Sequence, residues 1–64
     1  MKRKDFIKYL EINECFLKRH GGNHDLYINI KNGKTSTVPR HKEINNELCK
    51  KICKDIGISM PDKK

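Results

Sequence analysis

Two periods of apolar residues alternate along the chain and mark out five elements. From Lys4 to about Asn13, Phe6, Ile7 and Leu10 recur at helical spacing among lysines and glutamates, predicting an amphipathic helix. Asp5 suits its first turn, where a negative charge complements the helix dipole. Cys15, Phe16 and Leu17 then favour a short strand that becomes basic at Lys18, Arg19 and His20. Gly21 and Gly22 supply a turn. From His24 to Ile30 the even positions Leu26, Ile28 and Ile30 alternate with Asp25, Tyr27 and Asn29, a period of two that predicts a strand with one buried face. That parity groups His24 with the apolar residues and aims it at the core, unless a turn or bulge at Asn23 breaks the register.

Asn32-Gly33, set between two strand-like runs, predicts a two-residue hairpin turn, since both residues tolerate positive φ. Residues 35–38, "TSTV", form the return strand, which Pro39 ends. "RHKEINN" reads as a polar connection. Asn45 or Asn46 then caps a second helix that carries Leu48, Ile52 and Ile56 at i, i+4 and i+8. Gly57 is its C-terminal stop, with Pro61 a few residues beyond. No repeat, low-complexity linker or boundary interrupts the 64 residues, which read as a single domain. The fold class is α+β, in the order α-β-β-β-α. A three-stranded antiparallel sheet with two helices on one face is its simplest closed packing.

Composition narrows the choice of partners. A chain this short buries a low fraction of its surface, so core packing alone lends it modest stability. Hydrophobic residues at 34% and charged residues at 36% make it polar without making it compositionally disordered. A formal net charge of +7 concentrates polyanions around so small a body: nucleic acid, acidic proteins or anionic lipid. The apolar runs are too short to span a membrane. The charged N-terminus "MKRKDFIKYLE" lacks the apolar stretch of a signal peptide, which reads as a cytoplasmic protein. Cys15, Cys49 and Cys53 cannot all pair internally and read as small buried hydrophobes, with Cys49 and Cys53 on one helix face. No Cys-x-x-Cys pair is present to anchor a zinc site.

Four stretches carry a family resemblance: "KRKDFIKYLE" in the first helix, "GGNHDLY" entering the second strand, "STVPRHKEI" after the hairpin, and "LCKKICKDIGIS" at the end. In this order they resemble the HicA-type toxins, small ribonuclease partners of HicB antitoxins. The element order is similar to that of double-stranded-RNA-binding domains. The most specific pieces are Gly22-Asn23-His24, where the family usually has serine in the middle, and Val38-Pro39-Arg40-His41. The resemblance implies the toxin of a type II toxin–antitoxin system, an endoribonuclease that cleaves mRNA and arrests translation. It implies a single catalytic histidine, His24, with no essential metal or other cofactor. It also implies a HicB-type antitoxin that covers His24 and blocks access of RNA.

The residue types suit that chemistry. RNA cleavage through the 2′-hydroxyl needs a base that works near neutral pH, an acid for the leaving group and positive charge at the phosphate. Histidine is the one side chain whose ordinary pKa fits the first task. Gly21 and Gly22 would let an RNA backbone come close. Lys18, Arg19, Arg40 and Lys42, near the ends of adjacent strands, would hold phosphate oxygens. With Gly22, Asn23 and His41 they make up the expected RNA-contacting set. Spacing alone leaves His24 open as a polar strand-edge residue; the resemblance favours catalysis. His41 reads as structural or RNA-positioning rather than as a second acid, and His20 as solvated. Tyr27 is read as packing against a neighbouring strand or an antitoxin in preference to stacking on a base.

A non-catalytic RNA-binding module is the rival reading. Lys50, Lys51 and Lys54 form a Lys-Lys-x-x-Lys pattern like the one such modules place at the start of their second helix. Here the lysines fall inside the helix, where a solvated face is the simpler explanation. A small interaction protein drawn to an acidic partner is a further alternative.

Overall fold

The computed structural model describes residues 1–60. Pro61, placed by the sequence beyond the last helix, lies outside them. The elements are α1 (Arg3–Ile12), β1 (Cys15–His20), β2 (His24–Asn29), β3 (Thr35–Pro39) and α2 (Asn46–Ile56), in the expected α-β-β-β-α order. The strands form one antiparallel sheet with β2 in the centre. Both helices pack on one face of it. Phe6 and Leu10 of α1, Cys15, Tyr27 and Val38 of the sheet, and Cys49, Ile52, Cys53 and Ile56 of α2 close a common core with Ile44.

Each helix end has a physical cause. Asn45 caps α2, its side-chain oxygen accepting the Leu48 N–H at 2.8 Å. Gly57 adopts the left-handed conformation after the last turn, and the Ile58 N–H returns to the Cys53 carbonyl at 2.9 Å. α1 has no side-chain cap. Its Arg3 N–H instead donates to the Lys42 carbonyl at 2.7 Å, and Lys2 forms an antiparallel bridge with Glu43. The start of the chain is thus stitched to the β3–α2 connection. That connection is less polar than its composition suggests, because Ile44 is buried.

The buried stripe of α2 includes Cys49 and Cys53 beside Ile52 and Ile56, while Leu48 is only half-buried. All three cysteines are free and enclosed. Burial pushes the Cys53 thiol up to about 11 and raises the other two. They pack as small protonated hydrophobes.

Two sequence expectations are corrected. In β2 the residues facing the helices are Asp25, Tyr27 and Asn29, whereas Leu26 and Ile28 lie half-buried on the open face. Hydrophobicity alone set the expected parity, but each inward polar group has a dedicated partner. The Asn29 amide donates to the Ile56 carbonyl at 3.0 Å and accepts from the Lys31 N–H at 2.9 Å. Asp25 meets arginines. A satisfied polar group is tolerated inside, so the pleat need not follow the apolar residues. Tyr27 is consequently a core residue, only 6% exposed, and is not available to a base. The second correction is the hairpin. Residues 30–34 form a longer loop, closed by the Asn29 N–H on the Lys34 carbonyl at 2.9 Å, and only Gly33 takes positive φ.

Candidate active site

His24 opens β2 opposite Pro39, at the rim of the sheet. It shares parity with Leu26 and Ile28, as the sequence implies, but the parity now points to the open face, and the ring is exposed. Among the described residues no side chain hydrogen-bonds to it. The register does slip, though not at Asn23. The bulge lies in β1, between Leu17 and Arg19, where Lys18 is the extra residue. Beyond it Arg19 pairs with Leu26, so Arg19 stands on the same face as His24, diagonally across the strand pair and within reach of a long side chain. His20 is turned to the helix face, paired with Asp25.

The loop that presents His24 is held from three sides. The Gly21 N–H donates to the His24 carbonyl at 2.8 Å, the Arg40 N–H to the Asn23 carbonyl at 3.3 Å, and the Arg40 guanidinium to the Gly21 carbonyl at 2.9 Å. A Cβ on Gly21 would collide with the His24 carbonyl, whereas one on Gly22 would meet open space. The two glycines therefore do different jobs. Gly21→Ala should cost about 1–3 kcal/mol through overpacking against backbone, and Gly22→Ala should stay within about 0.5 kcal/mol. Thermal unfolding of the two variants checks this; equal losses would contradict the geometry.

Beneath the loop sits Asp25, 6% exposed. Arg40 donates to one carboxylate oxygen through Nε at 2.9 Å and through a terminal nitrogen at 2.7 Å. Arg3 donates to the other at 2.9 Å, and His20 Nδ1 lies 3.1 Å from the first. The Arg40 hydrogen bonds, with a further contribution from His20, hold the Asp25 carboxyl down to about 2 from its usual 3.8, although burial opposes them. Arg3 also donates to the Pro39 carbonyl at 2.7 Å. One buried carboxylate thereby joins α1, the end of β1, the loop and the end of β3. Sequence reasoning missed it, because Asp25 falls on what the apolar alternation marks as the solvent face.

The expected cations divide. Arg19 belongs to the His24 side, and Lys18 is the exposed, unpaired residue of the bulge before it. Arg40 is committed to Asp25 and Gly21 and acts on the loop from beneath. Lys42 and the exposed His41 lie in the connection after β3, with Lys42 facing the start of α1. Lys50, Lys51 and Lys54 stand exposed on α2 away from its buried stripe, and Lys51 pairs with Asp55 at 3.5 Å. No helix in the described residues is long and apolar enough to cross a membrane.

Chemically, the rim offers an accessible imidazole on a pinned backbone, an arginine on the same face and open approach over Gly22. That is the minimum for acid–base chemistry on a bound anion. A family model described as the HicA toxin of bacterial toxin–antitoxin matches residues 3–58. No curated protein and no solved structure gives a significant match.

Proposed function

The chain belongs to the HicA toxin family of bacterial toxin–antitoxin systems, and from that premise we propose that it is an endoribonuclease that cuts mRNA at His24 without needing a metal. The observation that carries the reading is the placement of His24: exposed, free of side-chain partners among the described residues, and on one face with Arg19. His24 takes the proton of a ribose 2′-hydroxyl as that oxygen attacks the adjacent phosphorus. The P–O5′ bond breaks, leaving a 2′,3′-cyclic phosphate on one fragment and a 5′-hydroxyl on the other. The departing oxygen recovers a proton from solvent or from the imidazolium just formed. Arg19 and Lys18 stabilise the charge that builds on the phosphate oxygens.

The antitoxin partner, a HicB-type protein, silences the toxin by covering the rim around His24. Its approach is helped by the +7 charge of the chain if it is acidic there.

The test is incubation of the purified chain with single-stranded RNA in excess EDTA. Fragments ending in cyclic phosphate are expected. Binding with no cleavage, with or without added divalent metal, would instead identify an RNA-binding module.

A further inference from the structure

A second charged feature lies behind the loop, where α1 begins and β3 ends. A groove of about 540 Å³ runs between Lys2, Arg3 and Lys4 on one wall and Arg40, Lys42 and Glu43 on the other. Five cations thus face a single carboxylate. That carboxylate is already engaged, since Glu43 pairs with the N-terminal ammonium at 3.6 Å. Arg3 and Arg40 are half-neutralised by Asp25. Lys2, Lys4 and Lys42 have no carboxylate partner among the described residues, and all three are exposed.

The fold does not require this concentration of charge. Main-chain groups hold the two walls together: the Lys2–Glu43 bridge, the Arg3 N–H on the Lys42 carbonyl and the paired bonds between Met1 and Ile44. Any side chains at positions 2, 4 and 42 would satisfy that pairing. Gathering like charges into one groove opposes folding, and an anion seated between them offsets the repulsion.

We propose that this groove holds the RNA backbone at the phosphates neighbouring the one cleaved, an inference that rests on the ribonuclease reading of His24. Arg40 makes the link. Arg40 lines the groove, while its N–H and its side chain hold the Asn23 and Gly21 carbonyls of the catalytic loop. A strand leaving the His24 rim passes the Pro39–Arg40 corner and enters between the lysines. Charges spread along two walls, instead of converging on one point, fit a chain with repeating phosphates better than a single free anion.

The test uses a single-stranded oligoribonucleotide methylated at every 2′-hydroxyl, which cannot be cleaved, and follows its affinity across a salt series. The triple variant Lys2→Gln, Lys4→Gln, Lys42→Gln should bind about tenfold more weakly at low salt. Its slope of log affinity against log salt should shrink by about 2, at about 0.7 for each phosphate no longer neutralised. In the unaltered chain the oligonucleotide should shift the backbone amides of residues 2–4 and 40–43, a readout that does not depend on the variant's folding. An unchanged slope, or shifts confined to the His24 loop, overturns the proposal. So does a variant that binds RNA normally but loses affinity for an acidic protein partner. Cleavage of ordinary RNA is judged separately, so failure of the groove and failure of the nuclease reading give different results.

Discussion

His24→Ala is expected to cut the rate of RNA cleavage by about 10³-fold or more while leaving the fold intact. A positioned acid–base group contributes roughly 10²–10⁴-fold, and on the proposed mechanism His24 is the group that takes the 2′-hydroxyl proton. The fold should not register the change. The ring is exposed, and its backbone carbonyl, the group that the Gly21 N–H holds at 2.8 Å, survives the substitution. Exposed substitutions of this kind stay within about 0.5 kcal/mol. RNA binding should also persist, because Arg19, Lys18 and the lysines of the groove remain. Kinetics with a labelled RNA, thermal unfolding and a binding curve on the same preparation separate the outcomes. Wild-type cleavage by the variant would remove His24 from the chemistry, and a lowered melting point would make the loss structural. In cells, induction of the unaltered chain should arrest growth and induction of the variant should not.

Asp25→Asn is expected to produce the largest loss of stability among single substitutions at the site, with a fall in melting temperature of roughly ten degrees or more. The carboxylate is buried, and the guanidinium groups of Arg3 and Arg40 both bond to it. An amide keeps the shape but removes the counter-charge, leaving two cations facing each other. Arg40 would then hold the Gly21 carbonyl less firmly, and cleavage should fall although Asp25 touches no substrate. The pH dependence has a definite sign. Because Arg40, with help from His20, holds the folded-state pKa at about 2 against the usual 3.8, the carboxylate's contribution is complete above the usual value. It is lost as pH falls through that value towards 2. The groups facing Asp25 are Arg3 from α1, His20 from β1 and Arg40 after β3. Unfolding measured from neutral pH down to pH 2 should show the loss in the unaltered chain, and Asp25→Asn should flatten that part of the curve. A variant with the same acid profile as the unaltered chain would mean that Asp25 does not carry it.

The element order was legible because each element has a local cause. The i, i+3, i+4 apolar spacing around Phe6 and Leu10, the Asn45 cap, and the left-handed residue at Gly57 all act within a few residues of themselves. The loop before His24 was legible for the same reason, as were the buried cysteines. Turn length was less legible. Asn32-Gly33 suggested a two-residue turn, but the Asn29 side chain binds the Lys31 N–H and draws the loop out to five residues.

The sequence by itself determined the α-β-β-β-α order, the excess of positive charge and the glycine turn that leads into His24. The tertiary structure alone decided which way His24 faces. Strand alternation assigns residues to two sets but does not say which set is inside. Here Asp25 and Asn29 found partners 15 to 27 residues away, in Arg40 and Ile56, and so the helices cover the set that carries them. His24 is left on the other face, open to solvent, with Arg19 brought to its side by a bulge that no local signal marks. The groove of Lys2, Lys4 and Lys42 has the same origin. Its walls lie some forty residues apart in the chain and meet through main-chain pairing of residues 1–3 with residues 42–44. Local chemistry chose the elements, and long-range satisfaction of buried polar groups chose their faces.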